Sequence, residues 1–199
     1  MVKNNKGFTL LELIISFAIL AVVSASVLGF MGAGANIFRS VSSEAAIQYE
    51  SQLTLAQLQE YVIDCNGGVF FDAGEKALFT LDTDGTSYTM QIFKLDGDEL
   101  FFDRQDVVIG EDGSSLSYSS IGSAAYSPDL MASNITDFNV GFERFYDSGN
   151  GRYIATRAVV TLTLGIGGRD FTGTQEIAFR NSVIYADSLD NMLNKVIFG

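Results

Sequence analysis

The chain is poor in the residue types that most often carry chemistry in proteins. Its 199 residues contain no histidine, no tryptophan, one cysteine (Cys65) and one proline (Pro128). Without histidine, a Ser-His or Cys-His nucleophile pair cannot form, and zinc sites are poorly supplied. The sequence therefore predicts no catalytic residue, no metal site and no cofactor. A lone thiol cannot close an internal disulfide, so Cys65 is interpreted as a small buried hydrophobe, with an intermolecular disulfide as the alternative.

Positive charge is also scarce. Twelve Lys and Arg residues face 24 Asp and Glu residues, which gives a net charge of −12. An acidic surface repels phosphate backbones, so nucleic acid is not an expected partner, except through a small local patch. The clusters Asp82–Asp84 and Asp96–Asp98 carry calcium-compatible oxygens, but neither supplies the ligand series of an EF-hand loop. They are interpreted as turns rich in Asp and Gly.

The N-terminal region lacks charge over an unusual length. Leu13–Phe38 contains no charged side chain, and this run exceeds the roughly 20 residues that a helix needs to cross a bilayer. Glu12 stands at its start, where a carboxylate costs roughly 2.5–3.5 kcal/mol on insertion scales and is usually functional. No basic side chain follows before Arg39, so we expect the partner of Glu12 to come from outside this helix. A secretory signal peptide and a plain single-pass anchor are the alternatives, although the first is shorter and neither explains Glu12.

The stretch GFTLLELI resembles the class III signal of the type IV pilins and of the pseudopilins of type II secretion and competence systems. In that family a basic leader ends in glycine, the first mature residue is usually phenylalanine, and a glutamate stands fifth in the mature chain. Gly7, Phe8 and Glu12 match these three positions. The motif is completed by Thr9, Leu10 and Leu11.

The resemblance implies a processing step and a set of partners. A prepilin peptidase would cut after Gly7 on the cytoplasmic side, and Phe8 would then be N-methylated. The chain would span the cytoplasmic membrane once, in contact with its lipid, and its N-terminus would lie inside. Lys3 and Lys6 also favour this orientation. The chain would later assemble with other major and minor pilins or pseudopilins into an extracellular or periplasmic filament. In that filament, Glu12 would pair with the Phe8 ammonium of a neighbouring subunit and so fix the register.

Composition and periodicity divide the chain into four segments. Residues 1–7 form the leader, 8–32 a transmembrane and assembly helix, 33–66 an amphipathic helix, and 67–199 a β-rich globular domain. That domain contains a long loop near 103–134, rich in Ser and Gly, which is interpreted as mobile or as a partner contact.

The amphipathic helix carries two apolar stripes at spacings of three and four residues. One stripe comprises Phe38, Val41, Ala45, Tyr49, Leu53 and Ala56, and the other comprises Ile47, Leu55, Leu58, Val62 and Cys65. We expect one stripe to pack on the domain's own sheet and the other to face other subunits. The alternative is that the domain covers most of the helix.

The remainder of the chain alternates between apolar and polar residues with a period of two. Hairpins are predicted around Asp96-Gly97, Asp147–Gly151 and Gly165–Gly168, which together with the helix indicate an α+β domain with antiparallel β-sheets. The late segments RAVVTLTLGIGG and TQEIAFRN resemble the end of J-type minor pseudopilins and W-type minor pilins. That resemblance implies two sheets and a place in a tip complex. After Asp187-Ser188, the spacing of apolar residues in 189–197 predicts a short C-terminal helix that packs on its own domain or binds a neighbour.

These observations favour a structural subunit over an enzyme. The predicted function is a minor pilin or pseudopilin that initiates assembly at the filament tip. The alternatives are a ligand-binding pilin, such as an adhesin or a DNA-uptake pilin, and a major pilin. Acidity argues against DNA, and the sequence shows no concentrated aromatic platform for a sugar.

Overall fold

The computed structural model describes residues 9–110, 116–118 and 128–199, which form two helices and nine strands. Their bounds are α1 Leu10–Val62, β1 Gly68–Asp72, β2 Ala77–Thr83, β3 Tyr88–Asp96, β4 Glu99–Ile109, β5 Leu116–Ser117, β6 Asp129–Ser133, β7 Ile135–Asp147, β8 Arg152–Ile166, β9 Arg169–Tyr185 and α2 Leu189–Ile197. The chain divides into two compact units, one up to Ala45 and the other Ala46–Gly199. Helix α1 contributes residues to both.

The sheet of the second unit is almost entirely antiparallel. Its hydrogen-bonded order is β5-β4-β3-β2-β1-β9-β8-β7, and β6 pairs with β4 outside this path. The one parallel pairing among the described strands joins β1 to β9 over two residue pairs, Gly68 with Ile184 and Val69 with Tyr185. The α+β prediction is therefore confirmed, while the division into two sheets stays a prediction.

Helix α1 packs on this sheet through the second of the two predicted apolar stripes. Ile47, Leu55, Leu58 and Val62 are buried in one core with Phe93 of β3 and Phe138 of β7. Cys65, the last member of the predicted stripe, lies beyond the helix, because α1 ends at Val62 rather than at residue 66. Asn66 is held instead by β2, since its Nδ2 donates to Thr83 O and its Oδ1 accepts from Thr83 N, both at 2.8 Å.

A second core lies on the opposite face of β2 and β3. It comprises Ala77, Phe79, Leu81, Met90 and Ile92 together with Met192 and Leu193 of α2. The C-terminal helix therefore packs on its own domain, as predicted. Its N-cap is Ser188, whose side chain accepts a hydrogen bond from Asn191 N. Gly68 permits this packing, because a Cβ there would lie 2.8 Å from Met192 Cγ and 2.9 Å from Val196 Cγ2.

The hairpin predictions hold, and the predicted loop is shorter than expected. Turns join β3 to β4, β7 to β8 and β8 to β9, with Gly97, Gly151 and Gly167 at positive φ. Both ends of the predicted 103–134 loop are strands, because β4 extends to Ile109 and β6 occupies Asp129–Ser133. Three of the four residues 103–106 are charged, so composition alone suggested a loop where β3 in fact pairs with β4. The inner part of the predicted loop, 111–115 and 119–127, lies outside the described residues.

Candidate assembly site on the N-terminal helix

The first turn of α1 is closed by a reciprocal pair of side chains. Thr9 donates to Glu12 Oε2 from its backbone N at 3.1 Å and from its hydroxyl at 3.0 Å. Glu12 N donates back to Thr9 Oγ1 at 3.3 Å. This arrangement is a capping box, in which two backbone N–H groups at the helix start are satisfied by side chains.

The capping box gives Glu12 a local hydrogen-bond partner that the sequence analysis did not foresee, because Thr9 donates to its carboxylate. That the charge of Glu12 is paired by a group from outside the helix stays a prediction. The signal was present in the sequence, because Thr-x-x-Glu before an apolar run is the capping-box pattern. Both bonds end on Oε2, and no donor from the described parts of the chain reaches Oε1. Gly7 and Phe8, the other two predicted site residues, lie outside the described residues.

The helix that follows is apolar and unburied. All side chains from Leu10 to Arg39 are exposed. Ser16 and Ser26 donate to the carbonyls of Glu12 and Val22 at 2.7 and 2.9 Å. By length and composition, α1 can cross a membrane. An apolar surface of this extent on a single chain indicates that a membrane or another subunit covers it.

The second unit shows which face of α1 remains open. Ser51 and Thr54 are also buried on the sheet-facing side of α1, although the apolar pattern did not predict it. Tyr49 and Leu53, from the other predicted stripe, are 70% and 47% exposed. The prediction that one stripe packs on the sheet is therefore confirmed, and that the open stripe contacts other subunits stays a prediction.

The close approach of α1 to β9 explains the burial of Ser51. A Cβ at Gly173 of β9 would lie 2.6 Å from Ser51 Oγ and 2.9 Å from Leu55 Cδ1. Helix and strand therefore approach each other where both residues are small. Ser51 Oγ has no hydrogen-bond partner among the described groups.

Cys65 is enclosed and poorly suited to reaction. It is fully buried, and its thiol lies 3.5 Å from the carbonyl oxygens of both Gly68 and Leu81. Burial raises the pKa of the Cys65 thiol far above its ordinary value, and the nearby Asp82 carboxylate raises it further. The interpretation of Cys65 as a buried hydrophobe is confirmed, and an intermolecular disulfide would require the domain to open.

The Asp82–Asp84 cluster spans the end of β2 and the start of the turn that follows it. Asp84 accepts hydrogen bonds from Thr86 N and Ser87 N at 2.8 and 2.7 Å, and these bonds lower its pKa. Asp82 is half-buried and accepts from Gln91 Nε2 at 2.7 Å, yet desolvation raises its pKa. Among the described residues, no group of three Cys, Asp or Glu side chains is arranged to hold a metal ion.

The grooves beside α1 offer no assembled chemistry. Their volumes of about 220 to 360 Å³ lie below or at the low end of the range for small-molecule pockets, which is roughly 300–1,000 Å³. One is formed by the stacked rings of Tyr61 and Phe102, 4.5 Å apart, and another by the Asp64–Arg180 ion pair at 2.8 Å. Neither contains a nucleophile next to a base.

The comparison with known families bears on the N-terminal helix. The family model for the prokaryotic N-terminal methylation motif matches residues 2–28. This match supports a type IV pilin-like prepilin signal. It also supports a type IV pilin or pseudopilin that assembles with other pilins, and it fits anchoring in a membrane before assembly into a pilus. A search of curated proteins found no match.

The pilin-like motif and the α+β fold point to a structural, non-enzymatic protein. The match ends at Leu28, so it does not extend to the late strands on which the J-type and W-type resemblance rests.

Proposed function

We propose that the chain is a minor pilin or pseudopilin, cut after Gly7 by a prepilin peptidase, N-methylated at Phe8, and assembled through α1 at the tip of a filament. Before assembly it spans the cytoplasmic membrane once with its N-terminus inside. The observation that carries the proposal is the methylation-motif match at residues 2–28, together with the exposure of every apolar side chain of α1 from Leu10 to Phe38.

The exposed helix supports both stages of this function. Each fully buried Leu, Ile, Val or Phe side chain contributes about 1.5–3 kcal/mol relative to its exposed state. Lipid covers the helix before assembly, and the helices of neighbouring subunits replace lipid afterwards. Because lipid tails are as apolar as leucine, this exchange has little hydrophobic driving force of its own. A polar interaction is therefore needed to favour the filament and to set the register.

Glu12 supplies that interaction in the proposed assembly. The capping box holds its carboxylate at the start of the helix and leaves Oε1 without a donor from the described residues. The Phe8 ammonium of a neighbouring processed subunit would donate to this carboxylate in a medium of low dielectric, where opposite charges attract strongly. A subunit in the wrong register would leave both charges buried and unpaired.

The minor rank and the tip position are supported by the resemblance of the two late strands, β8 and β9, to J-type and W-type subunits. These strands form a long antiparallel pair that extends from Tyr153–Tyr185 to Ile166–Arg169. A major pilin would use the same signal and helix and would differ in copy number.

Mass analysis of the protein recovered from membranes and from sheared filaments tests the proposal. We expect a chain that begins at methylated Phe8, present in trace amounts in filaments, and fewer filaments in a deletion strain. Abundant protein in the filament fraction would make it a major subunit. A chain that retains Lys6-Gly7 would overturn the assembly function and leave a membrane-anchored domain.

A further inference from the structure

A stacked pair of aromatic rings lies beside α1 with one ring accessible from solvent. Tyr61 of α1 stacks on Phe102 of β4, with ring centroids 4.5 Å apart and an interplanar angle of 21°. The buried Phe93 ring contacts both, at 5.0 Å from Phe102 and 6.1 Å from Tyr61, so the pair is held from the core side. Tyr61 is nevertheless 41% exposed. Because Phe102 covers one side of the Tyr61 ring, a ligand reaches it from the other side.

Strand β6 brings a carboxylate to the same place. Asp129 is paired directly with Phe102 in the β4–β6 register, and directly paired residues point to the same face of a sheet, with Cβ atoms about 4.5–5.5 Å apart. Asp129 lines one pocket together with Gln57, Tyr61, Phe102 and Met131. We call it the Tyr61 pocket. Asp129 is exposed, and no group in the described ranges forms a hydrogen bond or ion pair with its carboxylate.

An aromatic ring and a carboxylate side by side are suited to a planar cation. A cation over a tyrosine ring is attracted by the ring quadrupole. The guanidinium of arginine also stacks flat on a ring and presents five N–H donors, whereas a lysine ammonium is a strongly hydrated point charge. The chain itself shows such stacking, because the Arg144 guanidinium carbon lies 4.0 Å from the Tyr185 ring centroid. The Tyr61 pocket offers a ring from Tyr61 and acceptor oxygens from Asp129 and Gln57.

The size and position of the pocket favour a side chain of another polypeptide. Its volume of about 220 Å³ is smaller than that of small-molecule pockets, which is roughly 300–1,000 Å³. The pocket also continues the open face of α1, since residues four apart lie on one side of a helix. The exposed residues at this spacing are Tyr49, Leu53, Gln57 and Tyr61. A partner that lies along this face can therefore place one side chain in the pocket.

The surroundings of the pocket are acidic. The elements that form it are α1 from residue 46 onwards, β4 and β6, and together they carry six carboxylates and one cation, Arg104. Arg104 lies near Asp82 of β2, where burial raises the pKa of the Asp82 carboxyl and the charge of Arg104 partly opposes this effect. The excess of negative charge attracts a cationic partner and repels an anionic one.

We propose that the Tyr61 pocket binds an arginine side chain of a partner polypeptide. The guanidinium stacks on the accessible side of Tyr61 and donates to the Asp129 carboxylate and to Gln57 Oε1, while the aliphatic stem packs against Met131. The inference goes beyond the proposed function, because it depends neither on processing nor on the rank of the subunit in a filament.

Methyl NMR of the full-length chain in a non-ionic maltoside detergent tests the pocket, with ¹³C-methyl methionine as the label. Met131 reports on the pocket, and Met90 and Met192, buried in the second core, are internal controls. The probe is Nα-acetyl-arginine methylamide, and its citrulline counterpart, which has a similar shape and no charge, is the matched control. We expect the arginine probe to shift the Met131 signal saturably without moving the other two, and the citrulline probe to bind at least about tenfold more weakly.

Four results of this titration would overturn the proposal. The first is no saturable shift of the Met131 signal. Equal binding of the citrulline probe would remove the role of charge, and equal binding of Nα-acetyl-lysine methylamide would remove the role of the planar guanidinium. Tighter binding of free L-arginine than of the capped probe would make the ligand a free amino acid rather than a side chain of a partner.

Substitutions separate the ring from the carboxylate. Tyr61→Leu removes the ring and Asp129→Asn removes the charge, and each should weaken binding of the arginine probe at least about tenfold. Asp190→Asn is the matched control, because Asp190 is an exposed carboxylate in the first turn of α2, and it should leave binding unchanged. Thermal unfolding in the same detergent shows whether each variant is folded. A folded Asp129→Asn chain with the parental affinity would contradict the assigned site.

Photocrosslinking in cells tests the partner. Leu53→p-benzoylphenylalanine places the crosslinker two turns of α1 before Tyr61 on the open face. We expect it to crosslink to a second protein within a few residues of an arginine, and Asp129→Asn in the same chain should lower the yield at least about tenfold. No crosslink, or one that is insensitive to Asp129→Asn, would overturn the partner assignment.

This proposal and the proposed function fail in different ways. A chain that is processed, methylated and present in filaments but whose Met131 signal ignores the arginine probe overturns the Tyr61 pocket alone. A chain that is never processed but binds the probe through Tyr61 and Asp129 overturns the proposed function and leaves the pocket in place.

Discussion

Glu12→Gln separates two roles of the carboxylate at the start of α1. In the capping box, Thr9 donates twice to Glu12 Oε2, at 3.1 and 3.0 Å, and a glutamine amide oxygen accepts the same bonds. The variant therefore keeps the helix start and removes the charge. Thr9→Ala does the converse, because it removes the cap and keeps the carboxylate.

Glu12→Gln causes two free-energy changes, and both shift the chain from the filament towards the membrane. Loss of the charge stabilises the membrane-embedded form by up to roughly 2.5–3.5 kcal/mol. The filament loses one partner of a buried ion pair, which costs about 3–5 kcal/mol. Even the smallest of these values alone lowers the filament-to-membrane ratio by more than about fiftyfold. Thr9→Ala costs about 0.5–2 kcal/mol in both forms, so we expect the ratio to change by only a few-fold.

Quantitative immunoblotting of sheared filaments and membranes measures this ratio for the two variants and the parent chain. Intact mass of the membrane fraction serves as the control, because each variant must be cut after Gly7 for the comparison to hold. Glu12→Gln at the parental ratio would refute the ion-pair mechanism. A defect in Thr9→Ala as large as that of Glu12→Gln would instead assign the effect to the capping box.

Three further predictions concern processing and the domain. Gly7→Val should leave the precursor uncut, and a chain beginning at Phe8 in its intact mass spectrum would contradict the cleavage site. Leu58→Ala, at a fully buried position, should lower the free energy of unfolding in urea by about 2–5 kcal/mol, whereas Leu53→Ala on the open face of the same helix should change it by less than about 1 kcal/mol. Equal effects would contradict the assigned faces. Burial raises the pKa of the Cys65 thiol in the folded state, so the unfolded state ionises first and stability should fall as the pH rises above the ordinary value of 9.0. Cys65→Ala should remove this part of the slope in alkaline unfolding curves.

The most local features of the chain could be predicted from its sequence. The uncharged run Leu13–Phe38 identifies a membrane-length helix, because a bilayer sets the number of apolar residues needed. Gly97 and Gly151 predict hairpin turns, because glycine adopts positive φ more readily than other residues. Both residues do have positive φ in the structure. The Asp187-Ser188 pair predicts the start of α2, where Ser188 does accept from Asn191 N.

Features that depend on contacts between distant segments were missed. β2 is buried on both faces, with five buried residues in succession, so it lacks the alternation that marks a half-exposed strand. β1 is five residues long and pairs partly with β9, which follows more than 100 positions later. Neither strand has a local signal strong enough to identify it.

The sequence by itself determined the membrane-length helix, the prepilin-like signal and the antiparallel hairpins, because each depends on residues within a few positions of one another. Tertiary structure decided which stripe of α1 is covered, that Cys65 is enclosed, and that Arg144 of β7 lies over the rings of Tyr153 of β8 and Tyr185 of β9. Those outcomes depend on which strands pair, and pairing is settled by burial summed over the whole domain rather than by any single segment.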